Sequence, residues 1–358
     1  MLIQAGKPYF NFINSLRSEA TKKEYDWAFR VFLQHYKLTS DKLAETDPKD
    51  IEALIIDYIV LLKSQKKSYS LMDMMTSAIK HFCVMNDIRI VTTKINKFKG
   101  EKAKDESGVD DRAYSHEEIK ILVDSAPLRL KVILLVMAST GVRVGALPSL
   151  RLRHIKKLDY GGYQFLIYGN DADHRYLTYC TPECARIIDE YLTYRERFGE
   201  KLGDDSYLIR KDFDMNDLEQ VRKRSEPVSK GTIRNIVRSH LIKTGVRIPN
   251  LTGPYKRHDV VADHGFRKFF ETRVIESDVN PMAVMRLVGH KGGLDNKSYF
   301  RPKEGFILSE YEKAIDALTI DPANRLRKKV EKLEVERTYV EQLRLEIDQI
   351  KKSLKEGS

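Results

Sequence analysis

Read by the spacing of its apolar positions, the chain begins as helix. Tyr25, Phe29, Phe32, Leu33 and Tyr36 share one helical face, and Thr21-Lys22-Lys23-Glu24 is a capping box to start it. Ile51, Leu54, Ile55, Tyr58, Ile59 and Leu62 mark a second helix, opened by Asp47-Pro48. Ser68 or Ser70 starts a third, running through Ile79 and Phe82. Because these aromatics fall at helical spacing, they are expected in a core and not on a base-stacking surface. Residues 97–112 hold no apolar cluster and read as an exposed linker.

A second region starts at Ser115, where Ser-His-Glu-Glu forms another capping box. Helices are expected to Val123, from Leu128 to Ser139, and briefly after Arg143 to about Leu150. Between Gln164 and Tyr179 the pattern alternates, predicting two strands joined at Gly169-Asn170-Asp171. Helical spacing returns at Pro182–Arg197, Lys230–Lys243, His264–Ser277 and Pro281–Val288, with a short strand at Tyr207-Leu208-Ile209. In the tail, Leu326, Leu333, Val340, Ile347 and Leu354 repeat every seven residues, and Val330, Leu343 and Ile350 partly fill a second column. That is a coiled-coil seam interrupted by Arg337 and Arg344; its alternative is an amphipathic helix folded on its own domain.

The expected architecture is mostly α with a small β-hairpin or sheet. Residues 1–98 form a helical domain, 99–113 a linker, 114–319 a second domain, and 320–358 a C-terminal helix. A net charge of +11 changes the picture by favouring a polyanionic partner, since Lys and Arg release counterions from phosphates. Cys83, Cys180 and Cys184 leave an odd count and no disulfide framework. Cys180 and Cys184, with His174 upstream, lack the fourth ligand that structural zinc requires, so no metal is expected. Met1–Phe12 has no signal-peptide character, and the most apolar run, Val132–Ala138, is too short to span a bilayer. A cytoplasmic protein is expected.

The chemistry concentrates in His264-Gly265-Phe266-Arg267, Gly289-His290 and Tyr299, with Arg143 upstream. Cleaving a phosphodiester without a metal needs fixed cations for the phosphoryl oxygens and a hydroxyl to attack phosphorus. Arg143 and Arg267 suit the first task, because guanidinium is planar and stays charged. Each also has a plain reading: Arg143 as a surface cation at a helix start, Arg267 as half of an exposed His/Arg pair. His264 and His290 can donate to phosphoryl oxygens or exchange protons near neutrality. Tyr299 supplies the nucleophile; Tyr311, twelve residues on, is its competitor.

These boxes resemble the tyrosine recombinase (phage integrase) family, in wording closest to archaeal virus-type integrases. Ser139-Thr140-Gly141-Val142-Arg143-Val144-Gly145-Ala146-Leu147 matches the first arginine box. His264–Arg267 matches His-x-x-Arg, and Leu287-Val288-Gly289-His290 with Tyr299 matches the third histidine and nucleophile. The resemblance implies a core-binding domain at 1–98, a catalytic domain at 114–319 and a 3′-phosphotyrosyl intermediate. It also implies no metal or cofactor, double-stranded DNA at a specific attachment site as partner, and strand exchange in a tetramer. Two departures stand out. The hairpin Ile167–Tyr176 lacks the family's lysine, leaving His174 or Arg175 as substitute acid, with Lys156 and Lys157 as weaker candidates. Ala146 stands where many relatives carry an acidic residue. The rival readings are a type IB topoisomerase-like nicking-resealing enzyme and a DNA-binding protein with an impaired active site.

Overall fold

The computed structural model describes residues 6–101, 111–212, 226–247, 258–290 and 305–327, with isolated positions at 217, 219, 303 and between 330 and 347. The chain forms two compact units, Met1–Gly108 and Val109–Ser358.

The first unit is helical: α1 (Lys7–Asn14), α2 (Glu19–Tyr36), α3 (Ser40–Glu45), α4 (Pro48–Ser64), α5 (Tyr69–Met85) and α6 (Thr92–Lys99). Phe12, Phe29, Phe32, Ile55, Ile59 and Phe82 are fully buried in its core, and Phe29 stacks on Phe82 with ring centroids 4.5 Å apart. Asp47 caps α4 as its sequence context predicts, and of the two serines open for α5 it is Ser68 that caps. The start of α2 differs. Ser18 is the cap, accepting from the Thr21 amide, so Thr21 lies inside the helix. Ser18 wins because Glu19 then falls in the first turn, where the helix dipole favours an acid. α1, α3 and α6 are too short for their apolar period to be read.

The second unit is built around α8 (Leu128–Thr140), whose residues 132–138 are each 2% exposed or less. α7 (His116–Asp124), α9 (Pro182–Arg197) and α11 (His264–Glu276) pack on it, with α10 (Lys230–Lys243) beside them. The predicted capping box of Ser115 and Glu118 closes on α7, and Thr181 with Pro182 opens α9. The chain ends its compact part with α12 (Pro281–Leu287), α13 (Phe306–Lys313) and α14 (Ile315–Leu318).

The sheet has three antiparallel strands, not two: β1 (Ile155–Lys157), β2 (Tyr163–Ile167) and β3 (Tyr176–Tyr179), in that order. β1 escaped notice because Ile-Lys-Lys is too short and polar to alternate visibly. Ile167 pairs with Tyr176 and Phe165 with Thr178, so Tyr176 and Thr178 share the buried face. The expected strand at 207–209 is reduced to a single bridge, Arg151 with Tyr207.

Glu200 holds the end of α9 to this segment. Its carboxylate binds Arg195 through two hydrogen bonds of 2.9 and 2.6 Å and Arg210 at 2.8 Å, while Arg195 donates to the Tyr207 carbonyl. Burial opposes its ionisation, but the two guanidiniums outweigh that and hold the acid below the usual carboxylate range. Glu200→Gln removes the carboxylate charge shared by two buried guanidiniums and is expected to cost about 3 kcal/mol in denaturant unfolding. A loss under about 1 kcal/mol, the size of an exposed pair, would show the network to be dispensable.

Glu183 accepts from the Ile320 and Asp321 amides, and Asp321 accepts from Ala323, which fixes where the tail helix starts. Leu326, Val330, Leu333, Val340, Leu343 and Ile347 are 39–64% exposed, whereas Ile350 and Leu354 lie outside the described residues. Among the described residues, no helix is long and apolar enough to cross a membrane.

Candidate active site

The last turn of α8 leaves carbonyls that no helical amide can reach. Three side chains from elsewhere take them in succession. Tyr311 donates to the Ser139 carbonyl at 2.9 Å, Thr178 of β3 to that of Thr140 at 3.1 Å, and Arg267 of α11 to that of Gly141 at 2.9 Å. Gly141 ends the helix in the left-handed region (φ 63°), and a Cβ there would overlap the Phe270 ring. The chain then turns outward. Arg143 follows in extended conformation, exposed, and caps a 3-10 turn over Val144–Ser149. Ala146 is fully buried, and no carboxylate among the described residues forms an ion pair with Arg143.

His264 is the first residue of α11 and is exposed. Arg267 sits one turn further and is only 2% exposed. Its Nε lies 2.9 Å from Glu271 Oε1, its Nη1 donates to Gly141, and its Nη2 faces both the Val288 carbonyl and His290 Nε2 at 2.9 Å. Burial, then the neighbouring Arg143, lower its pKa, with Glu271 acting against them. Guanidinium has no acceptor, so His290 Nε2 must accept. The ring is therefore neutral, with its hydrogen on Nδ1. Burial, then Arg267, depress the His290 pKa and favour that form.

α12 presents His290 through a left-handed turn. Gly289 has φ 64°, its amide returns to the Arg286 carbonyl, and the His290 amide returns to Met285. A Cβ on Gly289 would overlap the ring of Tyr176.

Arg267 and His290 are in contact, and Arg143, two residues beyond the Gly141 carbonyl that Arg267 holds, lowers the pKa of both. Tyr299 lies outside the described residues. Tyr311 is fully buried, with a pKa raised well above the ordinary phenol by burial, and its hydroxyl is committed to Ser139. In the hairpin, the His174 Nδ1 pairs with Asp171 Oδ2 at 2.8 Å in an exposed turn. Arg175 lines a cavity of about 550 Å³ with Tyr176, Leu177, Arg286 and Lys303. Lys156 and Lys157 lie on β1, two strands from β3, and Lys157 pairs with Asp189 at 2.6 Å. Cys180 and Cys184 are free and buried.

Sequence reasoning passed over Glu271 and Tyr176. Glu271 had a signal, since it lies four residues after Arg267 on one helix. Tyr176 had none, because its nearness to the arginines depends on strand register.

A model of the phage integrase family matches residues 112–304. The fold is shared with a lambda integrase dimer bound to a COC′ core site (17% identity, 81% of this chain and 74% of that one, TM-score 0.51). It is also shared with XerH recombinase bound to palindromic difH in a post-cleavage complex (14%, 87% and 80%, 0.53). A third likeness is to the Tn1549 transposon integrase with circular-intermediate DNA (14%, 84% and 97%, 0.53). No curated protein sequence matches.

Proposed function

This chain belongs to the phage integrase family, and from that premise we propose that it is a tyrosine-type site-specific DNA recombinase. It cuts and rejoins strands at an attachment site through a 3′-phosphotyrosyl intermediate. The observation that carries the reading is the buried guanidinium of Arg267, fixed by two carbonyls and His290 beside the exposed Arg143. A cationic fork built before the substrate arrives is what a pentacoordinate phosphorus needs, because no reorganisation is then spent during reaction.

In this reading Arg143 and Arg267 hold the nonbridging oxygens, and His290 donates its Nδ1 hydrogen to one of them. His264 exchanges protons at the mouth of the site, and Tyr299 attacks. The helical unit at 1–98 binds DNA, and the residues at 114–319 carry the chemistry. Supported by its net charge of +11, the protein works at the nucleoid. The tail from 320, with its exposed seven-residue apolar column, joins copies into the tetramer that strand exchange requires.

Selection from random DNA tests the proposal and finds the attachment sequence together. Protein is incubated with nicked duplexes of randomised sequence, and adducts surviving denaturant are recovered and sequenced. One enriched motif, joined through its 3′ end, is the expected result; no adduct at concentrations that saturate binding would refute the proposal. Two duplexes carrying the selected motif should then yield joint molecules, which a nicking-resealing enzyme would not make.

A further inference from the structure

The hairpin carries no lysine, so the proton for the departing 5′-oxygen must come from another group. The tip of the hairpin is a poor source. His174 there is tied to Asp171, and arginine does not titrate. Lys157 is held by Asp189 at the other edge of the sheet.

Tyr176, the residue after the tip, is placed differently. It pairs with the buried Ile167, which puts its side chain on the core face. Its ring lies under Gly289, next to the turn that presents His290. Its Oη is buried within the field of Arg267 and Arg143, and Arg267 is near enough to favour the phenolate. Arg267, the group that approaches it, can only donate, and no group among the described residues accepts the hydroxyl's proton. A buried hydroxyl whose proton has no acceptor is costly, and one kept inside a cationic site calls for an acceptor that arrives with substrate.

We infer that Tyr176 donates the proton to the leaving 5′-oxygen, in the place of the missing hairpin lysine. The inference rests on the strand-transfer reading above. As the bond from the Tyr299 oxygen to phosphorus forms, the bond from phosphorus to the 5′-oxygen breaks. The Tyr176 proton passes to that oxygen and leaves a free 5′-hydroxyl. The Tyr176 phenolate is held by Arg267 and Arg143, and the proton released by the attacking phenol returns to it through water. No proton is gained or lost overall.

The acidity suits the step. Burial, opposed by Arg267 and Arg143, pushes the Tyr176 phenol up to about 12, so it keeps its proton at neutral pH. It remains a stronger acid than an alcohol, whose pKa lies near the value of about 15.7 for water.

The experiment compares wild type with Tyr176→Phe on the selected motif, once with the natural 5′-bridging oxygen and once with sulfur in its place. A thiolate leaves without help, since a thiol has a pKa of about 8.5. Phenylalanine keeps the ring under Gly289 and removes only the hydroxyl. The expected result is a loss of about 10²–10⁴-fold on the oxygen substrate, the range of general acid catalysis, with sulfur cleavage within about threefold of wild type. Equal loss on both substrates, or no loss on either, overturns the assignment. If wild type itself forms no adduct with either DNA, the recombinase reading fails, not the choice of acid.

Discussion

Arg267→Ala is expected to lower the rate of covalent attachment to DNA by about 10³–10⁵-fold, the range seen when a guanidinium is withdrawn from a phosphoryl transition state. The magnitude follows from what the side chain holds. Its fork bridges the carbonyl at the end of α8, the carbonyl of Val288 and His290 Nε2, so one residue aligns the segments carrying Arg143 and His290. Removing it takes away the buried cation and also frees the imidazole to choose its tautomer. Arg267→Lys restores charge but reaches only one of those acceptors, so it should recover a minor part of the activity. The check is single-turnover adduct formation beside DNA binding by electrophoretic shift. Binding within about fivefold of wild type is expected, because phosphate contacts over the whole duplex dominate affinity. A rate reduced less than tenfold by Arg267→Ala would remove this residue from the transition state.

How much of this was open to view before folding depends on the range of the interaction. The caps at Asp47, Ser68, Ser115 and Thr181 were legible because each is a contact within three residues. The boxes at 139–147, 264–267 and 287–290 were legible as side-chain chemistry in sequence order. What the residues could not display is which donor meets which carbonyl. Tyr311, Thr178 and Arg267 reach three consecutive carbonyls, the last two of α8 and that of its cap Gly141, from separations of 172, 38 and 126 residues. The same limit hid Tyr176, which faces the site only because β3 pairs Tyr176 with Ile167. The misplaced start of α2 is a different failure. Two hydroxyl residues three apart, Ser18 and Thr21, both fit the cap, and the choice rests on where Glu19 falls.

Tyr299→Phe is expected to abolish the adduct altogether while leaving DNA binding unchanged, since the ester of the proposed reaction forms on its oxygen. Identity alone does not select it, for the chain has 18 tyrosines. The nearest competitor is disqualified by its surroundings: the Tyr311 hydroxyl is fully buried and donates to Ser139, and ionising it would strand a charge in the core. Tyr311→Phe should therefore cost about 1 kcal/mol of stability for the lost hydrogen bond, with cleavage nearly intact. Tyr176 is the other phenol near the arginines, and its ring-preserving variant must still form adduct with the sulfur substrate. Peptide mapping of adduct trapped by wild type distinguishes all three positions in one measurement. A DNA-linked peptide containing residue 299 fits the pattern of a nucleophile brought to a preformed cationic fork. A linked peptide containing 176 would mean that the fork carries its own nucleophile, and that Tyr299 has no part in the chemistry.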